Sequence, residues 1–349
     1  MIRVAVAGCG VMGRNHLRVL SDLRETELAA VSDQDSNVMA AASEKYGVPG
    51  FLSWREMLAE EQLDALVVAV PTRSHCEVGV AALERGLHVL VEKPIAYTLE
   101  EGRALVEAAR RAGKLLAVGH VERFNPAVRE LRRRVAGGEL GRVFQIHARR
   151  QGPFPARIRD VGVVIDLATH DLDVMSDLVR SRVNRVYAET EQRIHTEHED
   201  MLNALIRFEN GVVGVLQVNW LTPTKIRELS VLGERGLFLV NYLTQELTFF
   251  KNADVDHRPD AKRDLQSVSE GEMVRFPIAE AEPLRLELES FLQSIDLGRP
   301  VEVDGEAGLR ALGLALAIIT SASEARVLQG GALQVRPSAE KPRRRSQES

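Results

Sequence analysis

Between Val163 and Met175 the chain reads VVIDLATHDLDVM, with apolar residues three and four apart, the pattern of one face of an amphipathic helix. Asp166 and His170 are four apart, so they share that face, and Asp173 follows beside His170. Desolvation and a neighbouring carboxylate can tune a histidine to accept a proton near neutral pH. The same pattern also fits a buried histidine tied to a carboxylate for packing. Lys93 is the second chemically informative residue. It leaves an apolar run at residues 89–91 with Glu92 behind it and Pro94 in front, and the proline restricts it to an extended backbone. A lysine so placed can bind a hydroxyl, stabilise an oxyanion or share a proton with a base. Alternatively, it pairs with Glu92 at a strand edge.

These groups need something to react with, and the first third of the chain offers it. Residues 2–7 form a short apolar run, GCGVMG follows at 8–13, and a helix opens after it. This is G-x-G-x-x-G in the strand-to-helix setting that gives the motif its meaning. Gly8 allows the tight turn, Gly10 lets backbone approach a pyrophosphate, and Gly13 lets helix and strand pack closely, with Val11 and Met12 between them. The helix N–H groups then receive the negative charge. The next apolar run ends at Asp33, 20 residues beyond Gly13, where a carboxylate meets the adenosine ribose hydroxyls. Asp33 repels a 2′-phosphate and Gln34 supplies no cation, so the expected cofactor is NAD rather than NADP.

Apolar runs at 65–70, 89–91 and 115–119 alternate with helical stretches at 38–46, 76–85 and 99–112. That alternation predicts a doubly wound parallel sheet over residues 1–122, with ligands outside the carboxyl ends of the strands. Three groups fall at those ends: Pro71 and Thr72 through His75; Glu92 and Lys93; and His120 onward. Pro71, Thr72, His75, Glu92 and Lys93 are therefore candidate cofactor contacts. His75 either stacks beside the nicotinamide ribose or caps the next helix.

Residues 123–335 read differently. Short strands follow one another, and Asn210-Gly211 is a strong hairpin signal between residues 201–208 and 212–218. A mainly antiparallel open sheet with helices on one face is predicted, in an α/β domain that also carries oligomer contacts through Val213, Val215 and Leu239. The 149–159 stretch, RRQGPFPARIR, reads as a stiff basic loop begun by Arg149 and Arg150 and ended by Arg157 and Arg159, whose guanidinium forks suit phosphate oxygens of a diphosphate-bearing substrate; a solvated loop with local ion pairs is the plainer reading. Asn219 stands at a strand end within reach of substrate. Two helices, 282–297 and 309–327, complete this domain, and the basic segment 336–349 is expected to be disordered.

The 349 residues are 45% hydrophobic, enough for two domains of ordinary size. A formal net charge of −5 gives no footprint for nucleic acid, and two cysteines without metal spacing give neither a metal site nor a disulfide framework. No charge-free apolar span of about 20 residues is evident, so a cytoplasmic protein without a membrane partner is expected.

With GCGVMG at 8–13, Glu92-Lys93-Pro94, and Asp166 with His170, the chain resembles the glucose-fructose oxidoreductase, inositol dehydrogenase and MocA (Gfo/Idh/MocA) family over residues 1–335. The resemblance implies an N-terminal Rossmann domain, a C-terminal α/β domain and oxidation of a sugar or cyclitol hydroxyl with a nicotinamide cofactor. Lys93, Asp166 and His170 take the catalytic positions. GHVERFNPAV at 119–128 and the segment 152–175 further resemble the UDP-N-acetylglucosamine 3-dehydrogenase branch. That branch implies a nucleotide-sugar substrate oxidised at C3, a homodimer or homotetramer, and an aminotransferase acting next; the alternatives are its 6-carboxylated counterpart, inositol or a free sugar as substrate, or a non-catalytic sensor that keeps the nucleotide pocket. On this reading His170 is the base, Asp166 orients it and Lys93 holds the oxygen, with the lysine and histidine roles exchangeable.

Overall fold

The computed structural model describes residues 1–155, 161–195, 197–252 and 271–330. Arg157, Arg159 and the basic segment 336–349 lie outside the described residues. The first sheet is built from β1 (Ile2–Ala7), β2 (Thr26–Ser32), β3 (Gly50–Phe51), β4 (Ala65–Val68), β5 (His88–Glu92) and β6 (Leu116–Gly119). All its pairings are parallel and its order is β3-β2-β1-β4-β5-β6. Val4 to Ala7 and Ala65 to Val68 are completely buried, as strands covered on both faces must be. The covering helices are α1 (Val11–Asp22), α2 (Ser36–Tyr46), α3 (Trp54–Glu60), α4 (His75–Glu84) and α5 (Leu99–Ala112). A Thr98–Glu101 capping box starts α5, and Gly113 in the left-handed region stops it. The strand order reverses between β1 and β4, so their carboxyl ends open a crevice there.

After α6 (Pro126–Ala136) the chain builds a nine-stranded sheet. Its strands are β7 (Val143–Pro153), β8 (Val183–Glu191), β9 (Met201–Phe208), β10 (Val213–Asn219), β11 (Leu221–Gly233), β12 (Gly236–Asn241), β13 (Glu246–Lys251), β14 (Met273–Phe276) and β15 (Leu328–Gln329). The order is β14-β13-β12-β11-β7-β10-β9-β8-β15, antiparallel except for the β7–β10 pair. The Asn210-Gly211 hairpin joins β9 to β10, with Gly211 at φ +91°. One face is covered by α7 (Thr169–Val179) and α9 (Gly305–Ser323). On the strands, Phe144, Leu205, Leu232 and Phe250 are exposed, while Val213, Val215 and Leu239 are half-buried.

Three features depart from the sequence expectation. Residues 149–153 are not loop but the end of β7, because they pair with β10 and β11 on both sides. The helix expected at 282–297 appears as α8 (Pro283–Asp296), but its buried face, Leu284, Leu288, Phe291 and Leu292, joins the core of the first domain beside Leu17 and Leu90. An amphipathic stripe shows that a helix is covered, not by which sheet. Finally, the helix expected at 309–327 runs as Gly305–Ser323, and although Glu306 and Arg310 lie within it, α9 is long and apolar enough by length and composition to cross a membrane. It packs against α5, α7 and β8 and holds Ala311, Ala315 and Ile318 buried within the protein.

Candidate active site

The glycine turn after β1 separates into three physical cases. Gly8 sits at φ +92°, and a Cβ there would meet the Ala69 carbonyl oxygen at 2.5 Å. A Cβ on Gly13 would lie 1.8 Å from the Gly8 carbonyl oxygen. Both positions are closed by protein. A Cβ on Gly10 would meet nothing within 4 Å, and Val11 and Met12 beside it are exposed. The open side of the turn is thus where a pyrophosphate fits, over the N-terminus of α1. Asp33 accepts from the Cys9 backbone N–H at 2.7 Å and from Asp35 N–H at 2.9 Å, which anchors its carboxylate at the rim of this turn. Gly10→Ala is expected to leave the melting temperature unchanged and weaken NAD binding, whereas Gly13→Ala lowers both. Thermal unfolding alongside fluorescence titration separates the two. Asp33→Ala should lose roughly tenfold or more in NAD affinity, about the worth of one or two charge-assisted hydrogen bonds, with the discrimination against NADP reduced. An unchanged NAD/NADP ratio would remove Asp33 from the ribose.

Pro71 and Thr72 follow β4 into a short 3₁₀ turn that leads to α4. His75 is not a stacking partner. It is 1% exposed, and its Nδ1 and Nε2 lie 2.9 Å from the Pro94 and Val70 carbonyl oxygens. Burial holds its pKa below the ordinary value. The ring braces the β4 end against the turn after β5, where the Lys93–Pro94 peptide is cis. Glu92 is also spoken for. It accepts from His16 Nε2 at 2.7 Å and from Lys93 N–H at 3.2 Å. Burial alone would raise its pKa, but His16 and Lys93 hold it below the usual carboxylate value.

Lys93 reaches across to the second domain. Its Nζ donates to the Asp166 carbonyl oxygen at 2.6 Å and to Asp166 Oδ1 at 3.2 Å. The segment holding Asp166 is not a plain α-helix: Val164–Ala168 form a π-helical turn that runs into α7. The wider turn breaks simple four-residue stacking, and among the described residues no hydrogen bond joins Asp166 to His170. The expected orienting contact is replaced by a Lys93–Asp166 ion pair. His170 Nδ1 is buried without a protein partner among the described residues. Burial first, then Lys93, Arg150, His120 and Arg227, hold its imidazole well below the ordinary value. It is neutral at pH 7 and able to take a proton. Asp173 is not its neighbour in function: it is clamped by Arg123 at 2.5 and 2.6 Å.

The arginines fall differently from expectation because β7 alternates. Ile146, Ala148 and Arg150 are buried toward the helices, so Arg149 points to the opposite face, where it pairs with Glu228 at 2.9 Å. Arg149 is therefore turned away from α7. Arg150, which a loop reading has no means to distinguish, faces it and is bound to Asp171 at 2.7 and 3.1 Å and to Glu122 at 2.8 Å. Directly across the ladder, Arg227 lies on the same face and donates to the Gln151 and Ile226 carbonyls. Burial and Arg150 hold its pKa below the usual arginine value. Strand register is the signal that finds both. Asn219 spends its side-chain oxygen on Leu221 N–H, Thr222 N–H and the Thr222 hydroxyl, closing the turn from β10 to β11.

A dinucleotide crevice faced by a lysine and a neutral, half-buried histidine defines a nicotinamide-dependent oxidoreductase. Residues 2–120 match the oxidoreductase family with an NAD-binding Rossmann fold, and residues 128–239 match the GFO/IDH/MocA C-terminal domain. The chain belongs to the Gfo/Idh/MocA family, and its cofactor is NAD. It is 30% identical over 319 residues to UDP-N-acetylglucosamine 3-dehydrogenase of Acidithiobacillus ferrooxidans, covering 91% of this chain and 96% of that one. The solved structure of that enzyme superposes with a TM-score of 0.82 at 29% identity, over 93% and 98% of the two chains. The WlbA dehydrogenase of Bordetella pertussis, solved with NADH and UDP-GlcNAcA, gives 0.78 at 26% identity over 94% and 98%. An inositol 2-dehydrogenase of Saccharopolyspora erythraea is 31% identical over 61% of this chain and 65% of its own.

Proposed function

We propose that this protein oxidises the C3 hydroxyl of UDP-N-acetylglucosamine to the 3-keto nucleotide sugar. The observation that carries the reading is the near full-length similarity to UDP-N-acetylglucosamine 3-dehydrogenase, over 91% of this chain and 96% of the relative. The site chemistry is compatible with it. NAD, when bound, supplies the hydride acceptor. His170, neutral and half-buried, accepts the hydroxyl proton as general base. Lys93 holds the same oxygen and stabilises its developing negative charge. Asp166 positions Lys93 through its carboxylate and its carbonyl, rather than positioning the histidine. Arg227, on the face turned toward α7, adds positive charge for an anionic substrate. That charge also favours a second reading, in which the substrate carries a carboxylate at C6 and Arg227 receives it. The exposed residues of the nine-stranded sheet are the surface for a homo-oligomer, and a transaminase is the class of enzyme that would consume the ketone.

The test incubates purified protein with NAD and, separately, UDP-N-acetylglucosamine, its uronate and myo-inositol, trapping the ketone with an aminotransferase and glutamate. NADH plus a 3-amino nucleotide sugar from the first substrate supports the reading. Product from the uronate alone moves the substrate to the acid. Turnover of inositol alone defeats the nucleotide-sugar assignment.

A further inference from the structure

Behind Lys93 lie four buried titratable side chains from four different elements. Glu92 ends β5 opposite Gly119 of β6, so His120 continues alongside Lys93. His16 comes from α1 and Glu287 from α8. Their exposures are 0% for His16, 1% for His120, 3% for Glu287 and 7% for Glu92. His16 and Glu92 hydrogen-bond at 2.7 Å. Both ring nitrogens of His120, both carboxyl oxygens of Glu287 and Nδ1 of His16 have no protein partner among the described residues.

Packing does not account for this cluster. Glu287 interrupts an α8 stripe of Leu284, Leu288 and Phe291 that buries itself in the first domain, where a leucine would continue the apolar surface. Polar atoms sealed from solvent without protein partners are costly, and internal water is what satisfies them. Burial, with Glu92 and Asp173 facing it, holds the Glu287 carboxyl well above the usual carboxylate range, so it both donates and accepts hydrogen bonds. Burial holds His120 below its ordinary value, with Asp173, Arg123, Lys93 and Glu92 facing it.

We propose that His16, Glu92, His120 and Glu287 enclose a water-bridged chamber that carries the proton of alcohol oxidation away from Lys93 and His170. This deepens the function proposed above and rests on it. In that oxidation the C–H bond breaks with its electron pair passing to bound NAD, and the O–H bond breaks with its proton passing to the base. The proton passes from the base through water in the chamber to the Glu92–His16 pair and from there to bulk solvent, and the base returns to its starting form.

Two measurements on the full-length protein test this. In infrared spectra at pH 7 a protonated-carboxyl band is expected, lost in Glu287→Gln and displaced by His120→Asn. Absence of the band, or a band indifferent to His120→Asn, overturns the chamber. In turnover, Glu287→Gln should lower kcat about tenfold and enlarge its solvent deuterium isotope effect, with both KM values held within about twofold. Glu287→Leu, which suits the apolar surroundings, should show the same kinetic loss with a raised melting temperature. If both variants keep the wild-type kcat and isotope effect, the proton leaves elsewhere. Wild-type protein that ignores UDP-sugars defeats the substrate assignment alone, because the infrared spectra still decide the chamber.

Discussion

Replacing Lys93 with methionine is expected to cut NADH formation by about 10³-fold while NAD binding stays within a few-fold of wild type. Methionine keeps the length and packing of the side chain but removes the donor that meets Asp166 at 2.6 and 3.2 Å. The substrate oxygen then develops charge with no cation on it. His170→Asn should cost a comparable 10²–10⁴-fold, again without loss of NAD. The pH profile distinguishes the two roles. The His170 imidazole is held below its ordinary value by burial and next by the Lys93 charge. A base works when deprotonated, so the acid limb of wild-type kcat/KM lies below the ordinary histidine range of about 6.5. Residual activity of Lys93→Met should show that limb moved to higher pH, because one depressing charge is gone. A limb that stays in place in Lys93→Met and survives in His170→Asn would assign the proton to another group.

The second large effect is on stability. Arg150→Met should destabilise the protein by roughly 3–5 kcal/mol at neutral pH, the cost of breaking a buried ion pair from one side. Arg150 is 4% exposed and Asp171 1% exposed, and Glu122 shares the same guanidinium. Burial already pushes the Asp171 pKa up, with Arg150 opposing it. Without the arginine the carboxyl takes up a proton on folding, and a group whose folded pKa is raised loses stability as pH rises through that value. The deficit of Arg150→Met should therefore be smaller at pH 5 than at pH 8 in urea titrations. Arg150→Met combined with Asp171→Leu should recover most of it, since the second change removes the stranded charge. A deficit independent of pH and not recovered by the double variant would mean that Arg150 acts through packing, for instance against the Tyr242 ring at 5.2 Å.

Much of this protein is legible in one dimension because its signals are local. The glycine turn, Asp33 and the alternation of strand and helix predict the parallel sheet and its cofactor, since each depends on residues within a few turns of one another. Gly211 and the flanking β-pattern predict the β9–β10 hairpin for the same reason. The same holds for α5, where Thr98 and Glu101 cap the start, Gly113 stops the end and five residues are buried, so that capping and amphipathicity agree. Lys93, Asp166 and His170 could be singled out because titratable groups interrupt apolar runs.

What only the tertiary structure decided is who meets whom. Asp166 and His170 are neighbours in sequence, yet the π turn and the distant Lys93 divide them, so the carboxylate serves the lysine. Arg149 and Arg150 are adjacent and chemically identical, yet one step along β7 puts them on opposite faces, a period of two that a basic stretch with two prolines conceals. Arg227 shares the face of Arg150 only through strand register, and α8 joins the first domain's core from more than 160 residues beyond β6. Hydrophobic patterning states that a face is buried and charge states that a side chain needs a partner. Neither carries the identity of that partner, which is fixed by strand pairing and packing between segments far apart in the chain.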